Sequence, residues 1–183
     1  MTTTATQIDL PVGTWALDKA HSSVGFVARH MMVTKVRGGF HAYDGTIEVA
    51  ANPADSVVEI EIEASSVSTG SPDRDLHLIS PDFFDVGKYP TLRFVSTDIR
   101  QRNGHWEIAG DLTIKGVTNP VTLEVAFHGT ETNPWGKTVA AFTATTEVDR
   151  EAWGLTWNVS LDSGGLLVSR KIKLEIEAQL IKA

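Results

Sequence analysis

The sequence predicts one all-β domain, an extended antiparallel β-barrel of about eight strands with one or two short helices in an insert near residues 72–86. Three observations lead to this fold class. Apolar and polar residues alternate with a period of two along most of the chain, which is typical of strands with one buried face. Turn-forming residues separate these segments closely, so neighbouring strands pair as hairpins. The 183 residues fit a single domain.

About nine strands are predicted in chain order. Trp15 and Leu17 mark a short first strand, and residues 40–49 form a strand with an irregularity near Asp44 and Gly45. The inward faces of the others are Val24, Phe26, Ala28 and His30; Val58, Ile60, Ile62 and Ala64; Leu92, Phe94 and Ser96; Trp106, Ile108, Gly110, Leu112 and Ile114; Val121, Leu123, Val125 and Phe127; Ala140, Phe142, Ala144, Thr146 and Val148; and Val168, Ile172, Leu174, Ile176, Ala178 and Leu180.

The last strand is the clearest and the longest. Its outward face carries lysine, glutamate and glutamine, so we expect this face to be exposed to solvent and the other face to be buried. About 13 to 15 strand residues at ~3.3 Å each span roughly 45 Å, which suits a tall tilted barrel better than a small sandwich.

One stretch, residues 71–89, breaks the alternation. Ser71 and Pro72 precede acidic residues, which is a helix-start signal, so one or two short helices are predicted here. Residues 31–36 form a second, shorter turn. No repeat, linker or shift in composition marks a boundary, so residues 13–183 are predicted to be one domain after a flexible segment of residues 1–12.

Composition excludes several functions. The net charge of −7 argues against nucleic acid and against docking on anionic membranes, since both need a basic face. The absence of cysteine excludes disulfides, thiol catalysis and cysteine-ligated metals. The N-terminus shows no signal peptide, and no apolar run approaches the ~20 residues that span a bilayer, so a cytoplasmic protein without stable membrane insertion is expected.

The inward faces leave open whether the barrel is filled or hollow. They mix large side chains with small ones, and small residues create room only where no large residue opposite fills it. The large residues are Phe26, Phe94, Trp106 and Phe142; the small ones are Ala28, Ala42, Ala64, Gly110, Ala140, Ala144 and Ala178.

Several blocks of the chain, taken together, resemble the YceI-like family of polyisoprenoid-binding proteins. They occur in order from about residue 13 to the C-terminus, and no single block is distinctive alone. The blocks are Gly13, Thr14, Trp15 and Asp18; residues 21–24 (HSSV) with Phe26 and His30; residues 36–40 (VRGGF); Arg74, Asp75, His77 and Leu78; residues 82–85 (DFFD); Tyr89, Pro90 and Phe94; residues 110–118 (GDLTIKGVT); and Asp149, Arg150, Trp153 and Gly154.

This resemblance implies a lipocalin-like barrel with a hydrophobic pore. It implies a long amphiphilic ligand, such as an isoprenoid quinone, a polyprenyl alcohol or a fatty amide, that is bound, stored or transported without catalysis. It also implies a possible homodimer and no cofactor beyond the lipid. Many members of the family carry a secretory leader, and this sequence departs from that pattern.

The candidate ligand-binding residues follow from the inward faces and from this resemblance. The predicted pore wall consists of Phe26, Ala28, His30, Phe40, Phe94, Trp106, Leu112, Ile114, Phe142, Ala144, Val168, Ile172 and Leu174. The predicted polar head or mouth site consists of Arg74, Asp75, His77, Trp153 and Arg170.

Each polar candidate has an alternative. His30 either meets a lipid head group or is a buried histidine bonded to the protein. Arg74, Asp75 and His77 either cap one mouth or hold the insert together locally. Arg170 lies in an inward register, where an unpaired charge is costly, so it sits at the rim or meets a carboxylate such as Glu147 or Asp149.

An enzyme or redox partner acting on an isoprenoid or fatty substrate at the barrel mouth is the competing function. The six histidines lack the spacings of common metal sites, and no nucleophile elbow, phosphate loop or haem-attachment motif is present in the sequence. We therefore predict no catalytic residues and no metal site.

Overall fold

The computed structural model describes residues 8–183, which are rich in β-strands and contain a single α-helix, α1 (Pro72–Ile79). These residues contain eleven strands. The strands are β1 Gly13–Leu17, β2 Ser23–His30, β3 Thr34–Phe40, β4 Tyr43–Val49, β5 Val57–Glu63, β6 Val67–Ser68, β7 Thr91–Arg102, β8 His105–Ile114, β9 Val117–Thr132, β10 Thr138–Asp149 and β11 Lys171–Lys182.

The predicted antiparallel barrel is confirmed. Eight strands close in the order β1-β4-β5-β7-β8-β9-β10-β11, with β1 pairing back to β11, and every pair is antiparallel. Closure leaves few backbone groups along the wall without partners. The remaining strands, β2, β3 and β6, extend the sheet from β11 in that order.

Strand β11 changes partner along one edge. Near its C-terminal end it pairs with β1, with Leu180 opposite Leu17, and nearer its start it pairs with β2, with Leu174 opposite Phe26. The two ends of the barrel are therefore completed by different strands. We call them the β1 end and the β2 end.

Two local predictions were wrong in detail. Residues 40–49 form the end of β3 and the whole of β4, because the chain turns between Phe40 and Tyr43. The turn near Met31 is shorter than expected and β3 begins at Thr34.

The helix predicted after Ser71 is confirmed, with Pro72 in its first turn. No helix within residues 8–183 is long and apolar enough to cross a membrane.

The β1 end of the barrel is filled. Trp15 is fully buried among Leu17, Ile47, Ala140 and Leu180, and its indole nitrogen donates to the Pro11 carbonyl at 3.0 Å. A neighbouring cluster is built on Ile99, Trp106 and Val125, with Phe142 and Ala144 packed against it.

Of the predicted flexible segment, residues 1–7 lie outside the described residues. Leu10 packs against the cluster around Trp15, while the flexibility of the segment stays a prediction.

Gly110 is a position where even one extra carbon is expected to destabilise the fold. A Cβ there would lie 2.6 Å from the Val95 carbonyl oxygen and closer still to the Phe94 ring. We expect Gly110→Ala to lower the free energy of unfolding by about 1–3 kcal/mol, the usual cost of overpacking, as measured by urea denaturation. Gly87→Ala is the control, since its Cβ would meet nothing within 4 Å. Equal midpoints for both variants would contradict this account.

Candidate functional site

The β2 end of the barrel contains an apolar cavity of about 220 Å³ that is partly open to solvent. Its wall combines the inward faces of the long strands with side chains from β2, from the insert after α1 and from the segment before β11. Ten of the predicted site residues line it: Phe26, Ala28, Phe40, Phe94, Leu112, Ile114, Trp153, Val168, Ile172 and Leu174.

Glycines in the wall help to keep this space open. A Cβ on Gly38 would overlap the ring of Phe26, and a Cβ on Gly110 would overlap the ring of Phe94. These two rings therefore lie against the backbone of a neighbouring strand instead of crossing the axis of the barrel. Residue size alone left open whether the barrel is filled or hollow. The structure shows that the β1 end is packed and the β2 end is hollow.

Three predicted wall residues, Trp106, Phe142 and Ala144, do not line the cavity. They face inward as expected, but they belong to the packed half, where Phe142 lies 5.0 Å from Phe127 between ring centroids. The physical reason is that strand alternation determines the face on which a side chain lies and not its height along the barrel.

His30 does not point into the cavity either. It is exposed, and its backbone forms an isolated bridge with Val168. The prediction followed the alternation of β2 to its last residue, where the strand has already reached the rim and the side chain meets solvent.

The insert contributes apolar side chains and not the predicted polar ones. Leu78, Phe83 and Phe84 line the cavity, and Phe83 is only 6% exposed. Phe40 of β3 meets Phe84 edge-on with ring centroids 5.6 Å apart, so the insert packs against this strand.

Arg74, Asp75 and His77 have local partners, as in the alternative interpretation. Arg74 Nε and Asp75 Oδ1 both bond the Thr69 hydroxyl, at 2.7 and 2.6 Å. His77 lies 2.8 Å from Asp82, and its ring packs against Phe83 and Trp157. None of the three polar residues lines the cavity.

Arg170 is also outside the cavity. It is exposed and contacts Asp149 at 2.7 Å and Glu151 at 3.1 Å. Its hydrogen bond to Asp149 lowers the pKa of that carboxyl and raises the pKa of the guanidinium itself. The expected pairing with Asp149 is confirmed, and Arg170 is a rim residue.

Trp153 closes one side of the cavity. A short 3-10 helix, Arg150–Trp153, follows β10 and turns this indole inward, where it is 3% exposed and donates to the Leu112 carbonyl at 2.9 Å. Leu155, two residues later, also lines the cavity.

Arg150 is a wall residue that the sequence analysis missed. It is 6% exposed, and its Nε donates to the Ser169 carbonyl at 2.9 Å while Nη1 donates to the Leu155 carbonyl. Burial lowers the pKa of the guanidinium. The alternation in the sequence could have identified Arg150 as an inward-facing residue, because it continues the series of Ala144, Thr146 and Val148.

Other wall residues were missed because they are ordinary inward positions or lie in irregular segments. They are Val24, Gly25, Ile60, Ile62, Leu78, Phe83, Phe84, Leu92, Val121, Leu123, Val148, Leu155 and Ile176.

A second concavity, of about 560 Å³, lies on the outer surface and is lined by Glu107, Glu124, Glu147, Lys173 and neighbouring polar residues. Among the described residues there is no group of three or more histidines, aspartates or glutamates arranged to hold a metal. The cavity at the β2 end, by contrast, has a wall of apolar side chains with one buried arginine, which suits an apolar chain.

Comparison with known proteins gives a consistent family. A model of the YceI-like domain matches residues 15–180. A UPF0312 protein of Staphylococcus aureus (strain USA300) is 35% identical over 167 residues, covering 90% of this chain and 95% of that protein.

Solved structures share the fold. Burkholderia cenocepacia BcnA has a TM-score of 0.75 at 22% identity, over 89% of this chain and 98% of that one. A Campylobacter jejuni YCEI protein scores 0.72 at 26% identity, over 85% and 90% of the two chains. A polyisoprenoid-binding domain from Saccharophagus degradans scores 0.65 at 13% identity, over 94% and 100%.

Proposed function

Because this chain belongs to the YceI-like family, we propose that it binds the tail of a long isoprenoid lipid in the cavity at the β2 end of its barrel, without changing the lipid chemically. The observation that carries this proposal is the apolar wall of the cavity. An isoprenoid tail has no hydrogen-bonding groups, so shape and removal of apolar area from water are what bind it. The name of the Saccharophagus degradans domain supports the same ligand class.

The energetics of lipid transfer favour reversible binding, as in transport or storage, over binding that is too tight for release. Burial of apolar surface contributes about 25 cal/mol per Å², so a long tail gains ample free energy relative to water. The alternative site for such a lipid is a bilayer, where its tail is already dry. The net free energy of transfer between bilayer and barrel is therefore small, and the lipid can be released as well as bound.

The size of the cavity limits how the lipid fits. About 220 Å³ is larger than an engineered cavity of ~150 Å³ that binds benzene, and smaller than the ~300–1,000 Å³ of typical ligand sites. Part of a long tail fits the space as it stands. To admit the rest, we propose that Phe83 and Phe84 move, because both belong to an irregular segment outside the barrel strands.

Mass spectrometry of an organic extract is the direct test of the proposed ligand. We expect the purified protein to release a prenyl chain in near-stoichiometric amount, because a tail in the cavity is shielded from water throughout purification. A denatured and refolded sample is the control, and it should regain lipid only when incubated with isoprenoids. Extracts with no long-chain lipid, together with no uptake by the refolded protein, would contradict the proposal.

A hairpin tip beside the cavity is the proposed point of contact with membranes. Met31, Met32 and Val33 are 45%, 57% and 75% exposed, three to five residues beyond Ala28 of the cavity wall. Apolar side chains at this position can enter the surface of a bilayer while the lipid passes.

We expect the double variant Met32→Ser, Val33→Ser to exchange isoprenoid with neutral liposomes several-fold more slowly, at unchanged equilibrium loading. Trp135→Ser is the matched control, because Trp135 is 82% exposed in the β9–β10 connection at the β1 end. Fluorescence transfer between donor and acceptor vesicles measures both rates. If both variants slowed isoprenoid exchange equally, this hairpin tip would have no specific role in the exchange.

Assembly and compartment are also proposals. A homodimer, expected from the family resemblance, is tested by light scattering of the purified protein. A cytoplasmic location, expected from the N-terminus, is tested by fractionation of cells that express the natural gene.

An absorbance spectrum of the purified protein distinguishes a bound isoprenoid quinone from a plain polyprenyl chain.

A further inference from the structure

The guanidinium of Arg150 has a nitrogen without an acceptor. Arg150 is 6% exposed and forms part of the cavity wall. Nε and Nη1 donate to the carbonyls of Ser169 and Leu155, whereas Nη2 is buried with no hydrogen-bond partner among residues 8–183. A buried donor that is left unbonded costs about 1–3 kcal/mol, and more when it is charged. Such a group is unusual in a cavity whose other walls are apolar.

Among the described residues no carboxylate forms a salt bridge with Arg150, although Asp149 and Glu151 favour its charge through longer-range electrostatics. The carboxylates next to it in sequence, Asp149 and Glu151, are both engaged by Arg170, at 2.7 and 3.1 Å. Its partners are neutral carbonyls and the ring of Phe83, whose centroid lies 6.0 Å from the guanidinium carbon. A buried cation in this state is stabilised strongly by an anionic oxygen that reaches it.

We propose that Arg150 is the head-group site of this protein and that it selects a lipid with an anionic oxygen, a carboxylate or a phosphate. This inference rests on the proposed function, since the tail must occupy the cavity to bring the head to Nη2. Nη2 is covered by protein atoms in the structure, and the ring centroid of Phe83 lies 6.0 Å from the guanidinium carbon, so the proposal includes a displacement of Phe83 that admits the head group. The same movement enlarges the space for the tail.

A ligand series with one tail tests the proposal without altering the protein. The probes are geranylgeranoic acid, geranylgeranyl monophosphate and the methyl ester of the acid, each presented from the same neutral vesicles. We expect one or both anions to bind at least about tenfold more tightly than the ester, because a hydrogen bond from a charged donor adds that much. The difference between acid and phosphate identifies which anion the site takes.

Arg150→Met tests whether this preference comes from Arg150. We expect this variant to bind the anions no more tightly than it binds the ester, so that the ratio of the two affinities falls to about one. Arg93→Met is the matched control, because Arg93 is an exposed arginine paired with Glu59 on the outer face, and it should keep the preference. If Arg150→Met does not fold, the ¹⁵N resonances of the Arg150 side chain in wild type replace it and should shift with the anions but not with the ester.

The outcomes separate the two proposals. Equal binding of anions and ester overturns the head-group site and leaves the lipid-binding function standing. No binding of any member overturns both. A preference that persists in a folded Arg150→Met variant also overturns the assignment, because the selecting group then lies elsewhere.

Discussion

Replacing Ala28 with tryptophan is expected to weaken lipid binding by about tenfold or more. Ala28 lines the cavity from β2, and an indole at this position occupies space that the tail needs. Each methylene group of the tail that is excluded costs about 0.8 kcal/mol, so excluding two of them lowers affinity by about tenfold. Mass spectrometry of co-purified lipid and titration with geranylgeraniol measure the loss.

The adjacent residue provides the control for Ala28→Trp. Arg29 is exposed on the opposite face of β2, so Arg29→Trp adds the same side chain outside the barrel and should load normally. Because the indole of Ala28→Trp fills existing space, its thermal midpoint should equal or exceed that of wild type. Normal loading of a folded Ala28→Trp variant would place the ligand somewhere other than this cavity.

Truncating Trp15 to alanine is expected to have the largest effect on stability. Trp15 is fully buried at the centre of the filled β1 end, and removing a buried tryptophan costs about 3–5 kcal/mol. The variant also leaves the Pro11 carbonyl without the indole donor. Since whole domains are stable by about 5–15 kcal/mol, this loss is a large share of the total.

Urea denaturation followed by circular dichroism measures the effect. Trp135→Ala is the control, because the 82% exposed side chain of Trp135 should change the free energy of unfolding by less than about 0.5 kcal/mol. Comparable losses for the two tryptophans would mean that the β1 end does not carry the stability assigned to it.

The period-two pattern predicted the fold class and the inward face of the long strands correctly. Alternation placed Phe26, Leu112, Ile172 and Leu174 on inward faces, and all four line the cavity. The position along the axis was not predictable in this way. Whether an inward residue meets empty space or a packed core depends on strand register, which pairs residues more than a hundred positions apart, as Leu17 with Leu180.

Polar candidates were the weakest part of the sequence prediction. Arg74, Asp75 and His77 attracted attention as a charged group in an irregular insert, but short-range bonds to Thr69 and Asp82 satisfy them. Arg150 stood in register with the inward series but was not included among the predicted site residues, because the strand ends one residue before it. Its burial comes from the turn of the following 3-10 helix, which alternation does not describe.

The filled β1 end turns the proposed binding site into a blind pocket. A lipid cannot thread through this barrel, because the space ends at the cluster around Trp15. On the proposed function, a bound lipid leaves by the route through which it entered, with its head group first. A protein with that function would exchange lipid with one membrane at a time and would have to detach and diffuse to reach a second.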